Sequence, residues 1–232
     1  MEEVSSNYYS NHHWKVQYQG FLGKFTDSYH KKIESERNSN HRFETVLEVG
    51  GGTGEHIQYV EHDFSRYYLL DLFVNRDGLK KLMSDHRSKK IEFIEGDARR
   101  IPFQDLNFDR VVSTCVLHHI SDLEKALEEI RRVCKDGATI DLYVPCDPGM
   151  IYRWTRHWTS HRKQKNSMKL SMRRIKYLWA IEHSNHYLGI ISLIEEIFSF
   201  DRIKIRRYPF RITSWNFSLF SIVSIKVSKS FK

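Results

Sequence analysis

The sequence predicts an α/β protein built on a doubly wound, mostly parallel sheet of seven strands, with helices on both faces and an antiparallel last strand. Short apolar segments typical of buried strands alternate with helical segments through the middle of the chain, and this order specifies parallel strands joined by crossover helices. The first strand runs directly into glycines, as in α/β folds that bind a ligand at a strand end. Two strand candidates near the C-terminus have no helix between them, so we expect an antiparallel hairpin.

The composition places the chain among soluble folded domains. Its 232 residues are 40% hydrophobic, 13% aromatic and 28% charged, which excludes disordered, collagen-like and coiled-coil chains. The longest apolar runs, 188–200 and 215–227, are shorter than the roughly 20 residues that cross a bilayer. The first 15 residues lack the basic start and apolar stretch of a secretory signal. The sequence therefore predicts a cytoplasmic protein.

The strands of the core are predicted from short β-branched and aromatic runs. The clearest is 45–50, which ends in glycine as a buried parallel strand should. The further strand candidates of the core are 67–72, 91–95, 110–114 and 139–144.

The clearest helix covers residues 123–134. Ser121 is the expected N-cap, with Glu124 as its capping-box partner, and Gly137 is the expected stop signal. A last helix is predicted over 188–198, followed by hairpin strands at 202–208 and 217–227.

These elements divide the chain into four segments. We expect an N-terminal helical lid over 1–42 and a core that binds a cofactor over 43–147. A basic, aromatic insertion over 148–187 is predicted to cover an acceptor site, and residues 188–232 complete the same domain.

Charge is unevenly distributed along the chain. The formal net charge is +8, and residues 148–181 contain nine basic residues and no acidic one. Such a block favours an anionic partner, although a solvated basic helix surface remains the alternative. The three cysteines have spacings that match neither a zinc site nor a disulfide framework, so we expect them to be reduced.

Chemistry-bearing residues recur at the ends of the predicted strands. The run 48–54 reads Glu-Val-Gly-Gly-Gly-Thr-Gly, in which glycines permit positive φ and close approach of a ligand. Asp71 ends the second strand, at the position where a carboxylate can accept hydrogen bonds from ribose hydroxyls. Asp97 follows the third strand, and the fourth opens into the run 113–119, Ser-Thr-Cys-Val-Leu-His-His.

Over residues 43–146 the sequence resembles the class I S-adenosylmethionine-dependent methyltransferases, which have a Rossmann-like fold, and in particular the branch with a Leu-His-His turn after the fourth strand. Dinucleotide-binding dehydrogenases are the competing interpretation, but their G-x-G-x-x-G fingerprint differs from the E-x-G-x-G-x-G pattern found here. The resemblance implies S-adenosyl-L-methionine as cofactor.

The resemblance also implies residue roles. Glu48 would help to hold the ammonium group of the cofactor, Asp71 its ribose and Leu72 its adenine, with Asp97 and Ala98 reading the adenine edge. Thr114 and Cys115 would present backbone carbonyls near the sulfonium group. The loop that receives the methionine part would be formed by Gly50, Gly51, Gly52 and Gly54.

His119 and, less so, His118 are the candidate catalytic residues, because they follow the fourth strand at the cofactor pocket. A structural role for His119, bonding the loop backbone, is the alternative. His183 and His186 have i, i+3 spacing, but no acidic or thiol partner accompanies them, so no metal site is predicted.

The region after the fifth strand is expected to contact the acceptor. Arginine binds phosphate or carboxylate bidentately, and tryptophan stacks on rings, which favours an anionic small-molecule or sugar-like acceptor methylated on oxygen or nitrogen. RNA, a lipid at a membrane surface and a non-enzymatic partner subunit are the alternatives, and the oligomeric state is left open. The candidate acceptor contacts are Tyr152, Arg153, Trp154, Arg156 and His186.

Overall fold

The computed structural model describes residues 21–73, 90–158, 171–210 and 214–229. A seven-stranded sheet with the order β3-β2-β1-β4-β5-β7-β6 runs through these residues. β1 to β5 are parallel to one another, whereas β7 is antiparallel to both of its neighbours. The strands are β1 (Arg42–Val49), β2 (Asp63–Asp71), β3 (Ile91–Glu95), β4 (Phe108–Ser113), β5 (Cys134–Pro145), β6 (Arg202–Tyr208) and β7 (Phe220–Lys226). The predicted fold class is confirmed.

Helices cover both faces of this sheet. The described helices are α1 (Phe21–Glu34), α2 (Leu123–Val133), α3 (Met150–Arg156), α4 (Met172–Glu182) and α5 (Tyr187–Ile197). The apolar stripes of α2 and α5 share one core cluster with alternate residues of the central strands, such as Leu47 and Leu142. The intervening residues point to the opposite face, where Val112 and Tyr143 pack with Tyr29 and Ile33 of α1.

The expected C-terminal hairpin is present. β6 and β7 pair antiparallel from Arg202 opposite Lys226 to Tyr208 opposite Phe220. β7 lies between β5 and β6, so the last strand of the chain is inserted into the sheet rather than added at its edge.

Both predicted end signals of α2 were wrong. The N-cap is Asp122, not Ser121, and its side chain accepts a hydrogen bond from the backbone N–H of Lys125. The helix ends at Val133 because Cys134 is already extended and begins β5. Gly137 lies inside that strand with a φ of 69°, beside an irregularity in the pairing of β4 with β5. Its positive φ therefore belongs to an irregular part of β5 and not to the end of a helix.

A buried charged cluster joins α1 to the sheet. The guanidinium of Arg110, fully buried on β4, lies 2.6 Å from Glu34 and 3.2 Å from Asp141. Burial alone would raise the pKa of Glu34, but the charge of Arg110 and the hydrogen bond from His56 outweigh it and hold that pKa well below its usual range. Glu34 is therefore ionised inside the protein.

The predicted lid and the predicted insertion lie partly outside the residues that the structure describes. Residues 1–20 and 159–170, which belong to the expected lid and insertion, lie outside the described residues, so both assignments stay predictions. All three cysteines are free. No helix within the described ranges has the length and apolar character needed to span a bilayer.

Candidate active site

The loops that follow β1, β2, β4 and β5 meet at one edge of the sheet because these strands are parallel. This carboxyl edge is where open α/β sheets bind ligands. Most of the candidate residues lie in these loops, so the topology brings together groups that are far apart in the sequence.

The glycine loop after β1 is tied to the end of β2. The backbone N–H groups of Gly50 and Gly51 donate to the carbonyl of Leu70, at 2.8 and 3.1 Å. Gly50 has a φ of 74°, and a Cβ built on it would lie 2.6 Å from Val116. Only glycine allows the loop to pass this close to the segment after β4. Gly54 closes the loop by donating to Gly51 at 2.7 Å.

Asp71 holds the middle of this loop. One carboxylate oxygen accepts from the N–H of Gly52 at 2.8 Å, and the other accepts from Phe73 at 3.1 Å. A carboxylate oxygen has two lone pairs, so each retains capacity for another donor. Leu72, the next residue, is 52% exposed at the same edge.

Glu48 is a buried acid directly before the loop. Its side chain accepts a hydrogen bond from the Tyr67 hydroxyl at 2.8 Å. Burial raises the pKa of this carboxyl to about 7, so it changes charge near neutral pH. A cationic ligand beside it would favour the ionised form.

Asp97 has a partner that the sequence analysis did not anticipate. Arg99 lies two residues away and donates to both carboxylate oxygens, with its terminal nitrogen at 2.6 Å from one of them. This hydrogen bonding lowers the pKa of Asp97. Ala98 is partly buried against the core. Asp97 therefore remains at the expected strand end, with its charge already neutralised by Arg99.

The segment after β4 carries the next group of candidates. Thr114 is buried, and Cys115 is partly buried with a φ of 58°, an uncommon conformation for a residue with a Cβ. The backbone then forms a short 3₁₀ turn, Leu117–His119. Val116, just before this turn, lies against Gly50 of the glycine loop.

His118 and His119 do not stand alone, because His183 from the end of α4 packs against both. The ring centroids lie 4.0 Å apart for His118 and His119, 4.4 Å for His118 and His183, and 4.9 Å for His119 and His183. Burial lowers the pKa of His119, and it lowers that of His183 to about 4. We call these three residues the histidine cluster.

Hydrogen bonds fix the orientation of two rings of the cluster. Nδ1 of His119 donates to the carbonyl of Glu182 at 2.8 Å, and Nδ1 of His183 donates to Asp147 at 3.2 Å. Carbonyl and carboxylate oxygens only accept, so both Nδ1 atoms carry hydrogen. In the neutral rings the lone pair is consequently on Nε2.

Asp147 is a functional candidate that the sequence analysis missed. Besides His183, its carboxylate accepts from Trp179 at 3.3 Å and Arg156 at 3.2 Å. Burial would raise its pKa, but the hydrogen bond from His183 and the charge of Arg156 together lower it. Asp147 lies two residues after the end of β5, much as Asp71 ends β2 and Asp97 lies two residues after β3. This shared position at a strand end is the sequence signal that could have identified Asp147.

Some of the side chains expected to contact the acceptor are packed within the protein, and others are exposed to solvent. Tyr152 is partly buried, and Arg156 lies with its Cζ 4.0 Å from the ring centre of Trp179 while it bonds Asp147. Arg153 and Trp154 on α3 are exposed. These two can reach a ligand directly, whereas Arg156 is already engaged within the protein.

His186 lies apart from the histidine cluster. It is exposed at the residue before α5 and makes no side-chain capping bond there. His183, three residues earlier, is the one that turns inward. The expected contact between His186 and an acceptor therefore stays a prediction.

Residues 47–140 match the family described as methyltransferase domain. The fatty-acid O-methyltransferase of Mycolicibacterium smegmatis is 34% identical over 112 residues, covering 48% of this chain and 40% of that protein. The ubiquinone/menaquinone biosynthesis C-methyltransferase of Legionella pneumophila is 28% identical over 124 residues, covering 48% of each. The chain therefore spans about half the length, or less, of these curated relatives.

Solved structures with the same fold cover more of the chain. The 1,6-didemethyltoxoflavin-N1-methyltransferase of Burkholderia thailandensis, solved with bound 1,6-didemethyltoxoflavin and S-adenosylhomocysteine, has a TM-score of 0.61 at 12% identity, covering 98% of this chain and 86% of that one. At this identity the likeness concerns the fold alone.

Proposed function

We propose that the protein transfers a methyl group from S-adenosyl-L-methionine to an oxygen or nitrogen of an anionic small-molecule or carbohydrate-like acceptor. The match of residues 47–140 to the methyltransferase domain family and the fold shared with a methyltransferase of known structure support this proposal. The observation that carries the proposal is the cradle formed by the buried Glu48, the glycine loop and Asp71. Assignment to the branch with a Leu-His-His turn remains part of the proposal.

The cradle fits the proposed cofactor in charge and in shape. A buried carboxyl whose pKa is about 7 suits an ammonium group, because the two charges stabilise each other away from water. The close packing of Gly50 on Val116 leaves backbone at the place where side chains would otherwise fill the loop. The lone pairs left on Asp71 suit the hydroxyls of a ribose.

The remaining cofactor contacts are proposed from their position at the same edge. Asp97 and Ala98 would face the adenine edge and Leu72 its ring, while Thr114 and Cys115 would present carbonyl groups to the sulfonium. When bound, the cofactor supplies a methyl group on a positively charged sulfur, which makes the leaving group already activated. The protein then chiefly orients the acceptor, an effect worth several kcal/mol.

His119 is proposed to assist an acceptor that carries a hydroxyl group. Its Nδ1 donates to the Glu182 carbonyl, which leaves Nε2 to take the proton of that hydroxyl. An amine acceptor needs no such base, because it attacks in its neutral form. His118, buried against His119, would hold the ring of His119 in place.

Arg153 and Trp154 support an anionic or ring-bearing acceptor. Both are exposed on α3, directly after the loop that leaves β5. Arginine offers a fork of donors to phosphate or carboxylate, and tryptophan offers a stacking face. The name of one relative, a fatty-acid O-methyltransferase, also supports a small-molecule acceptor.

A lipid-like acceptor at a membrane surface is the second candidate. Three large apolar side chains in and just after α3 are solvent-exposed, namely Met150 at 54%, Trp154 at 65% and Trp158 at 52%. Together with Arg153 they give this short segment the residue types of an interfacial helix. RNA, favoured only by the basic composition of the insertion, is an outcome of the test below.

The test is binding of S-adenosylmethionine by calorimetry, followed by transfer of its tritiated methyl group to four acceptor pools. The pools are sugar nucleotides, free fatty and quinone-type lipids, anionic vesicles and total RNA. We expect micromolar cofactor binding and label in the first pool. Label confined to the lipid pools would favour the second candidate. Absence of cofactor binding at millimolar concentration would contradict the enzymatic proposal and leave a partner subunit as the interpretation.

A further inference from the structure

The histidine cluster brings one ring nitrogen from each of His118, His119 and His183 close together. These three nitrogen atoms lie within 4.8 Å of one another. Three imidazoles with one remaining coordination position form a common donor set of catalytic zinc sites. The cluster could not be predicted from sequence spacing, because His183 is close in sequence to His186 but far from the histidines after β4.

The hydrogen bonds behind the cluster have the pattern found around metal-binding histidines. Such a histidine typically donates its second ring N–H to a carbonyl or carboxylate, which fixes the ring and leaves the other nitrogen as ligand. His119 donates to the Glu182 carbonyl and His183 to the Asp147 carboxylate. Two of the three rings are therefore oriented from behind by independent partners.

The surroundings of the cluster are largely closed. His118 is 2% and His183 is 5% exposed, and His119 is partly buried. The Trp179 ring packs on His183 with centroids 3.8 Å apart, and both residues donate to Asp147. Asp147 accepts the Nδ1 hydrogen of His183 from behind, as a carboxylate commonly does for a metal-binding histidine, while Arg156 balances its charge.

We propose that His118, His119 and His183 form a binding site for one divalent transition-metal ion of the kind that prefers imidazole, with Zn²⁺ as the reference. Hard cations such as Mg²⁺ prefer oxygen ligands and are not expected to bind. Tetrahedral coordination brings nitrogen ligands to about 3.3 Å from one another, so small rotations of the rings complete the site. A fourth position stays open for water or another oxygen donor.

The place of the site links it to the reaction. His119 donates its backbone N–H to Val116 at 2.9 Å, and Val116 packs over Gly50 of the glycine loop. On the basis of the proposed function, an oxygen of the acceptor is the ligand expected at the open position. A bound metal would lower the pKa of an acceptor hydroxyl at the open position, and the proton of that hydroxyl would pass to water instead of to His119.

The test uses the full-length, untagged protein after dialysis against a chelator. Zn²⁺ is titrated by calorimetry, and Co²⁺ is added separately because its absorption spectrum reports tetrahedral nitrogen coordination. We expect one ion per chain with a dissociation constant below 10 micromolar (about 7 kcal/mol) and no heat with Mg²⁺. His119→Gln and His183→Gln should each lower the affinity for Zn²⁺ at least 100-fold, and Asp147→Asn should lower it 10- to 100-fold.

His41→Gln is the matched control, since His41 is exposed and bonds only Asn38 among side chains of the described residues. It should leave the affinity for Zn²⁺ unchanged. Thermal unfolding followed by circular dichroism identifies variants that fail to fold, and the Co²⁺ spectrum of the wild type remains decisive if they do. Millimolar affinity in the wild type, or full affinity in His119→Gln and His183→Gln, would overturn the proposal. Binding of S-adenosylmethionine to the metal-free protein is measured alongside, so failure of the metal site and failure of the methyltransferase proposal are distinguishable.

Discussion

The carboxylate of Asp71, at the end of β2, accepts a hydrogen bond from the backbone N–H of Gly52 at 2.8 Å. The residue expected to grip the ribose of the cofactor thus also fixes the loop expected to receive the methionine part. Two functions of one side chain can be separated by comparing substitutions that remove one or both of its oxygens.

Asp71→Ala should weaken S-adenosylmethionine binding by at least 100-fold, because both the ribose acceptor and the anchor of the loop are lost, together worth about 3 kcal/mol. Asp71→Asn keeps one acceptor oxygen and should weaken binding by roughly tenfold. Calorimetric titration with the cofactor measures both. The control is Asp63→Asn on the same strand, whose half-exposed side chain lies at the opposite end of β2. Equal affinity in Asp71→Ala and wild type would contradict the assignment.

Binding of S-adenosylmethionine should weaken as the pH falls. Burial raises the pKa of Glu48 to about 7, so the carboxyl is mostly neutral at pH 6 and mostly ionised at pH 8. Because the ammonium of the cofactor needs the ionised form, affinity should decrease about tenfold between these two pH values. Without ligand the sign is the reverse, since ionising a buried Glu48 costs stability as the pH rises from about 4.5 through 7.

Glu48→Gln should remove this pH dependence and bind the cofactor weakly at both pH values. The measurement is the calorimetric dissociation constant in buffers with different ionisation heats, which also counts the protons released. A wild-type affinity that is flat between pH 6 and pH 8 would argue against Glu48 as the ammonium partner.

Replacing Gly50 should cost more than replacing its neighbour. Alanine at Gly50 would adopt a φ of 74° and put a methyl group 2.6 Å from the branched Cβ of Val116. Alanine at Gly51 meets chiefly the rotatable end of Leu69, at 2.5 Å. We expect Gly50→Ala to lose about 2 to 3 kcal/mol of unfolding free energy and Gly51→Ala about half as much. Urea unfolding of both variants tests the order, and the reverse order would contradict the described loop.

Glu34→Gln should destabilise the fold by about 3 kcal/mol, because it leaves the buried Arg110 short of one counter-charge. Glu36→Gln is the matched control. Glu36 lies just after α1 and is partly exposed, paired with Lys204 and Arg206, so its loss should cost less than about 1 kcal/mol. Urea unfolding at pH 7 measures both. Because the pKa of Glu34 is lowered in the folded protein, its contribution to the free energy of unfolding is fully present above pH 4.5 and is lost as the pH falls below that value.

The fold could be predicted largely from local patterns. β3 and β6 have the predicted bounds, and the other strands differ at their ends by a few residues. Two predictions about helix α2 were wrong: its N-cap is Asp122 instead of Ser121, and Gly137 lies within β5 instead of ending the helix. Serine and aspartate both serve as N-caps, and glycine occurs both at helix ends and within irregular strands. Which role each residue has here depends on where the helix begins and how soon the next strand follows it.

The glycine loop, Asp71 and Asp97 could be located from the sequence because parallel strands align their carboxyl ends, so position in the chain determines position at the sheet edge. The Arg99 partner of Asp97 was missed although it lies only two residues away, since nothing in the pattern distinguishes an ion pair from two solvated side chains. The roles of these residues toward a cofactor stay predictions.

The chain's own order of strands, helices and glycines was enough to predict the parallel sheet, the antiparallel C-terminal hairpin and the edge where ligands bind, because these follow from hydrophobic periodicity and the handedness of crossovers. Only the tertiary structure brought His183 onto His118 and His119, and Asp147 behind them. Those contacts depend on where the end of α4 packs against the segments after β4 and β5, and packing between segments distant in sequence is not encoded in any local pattern.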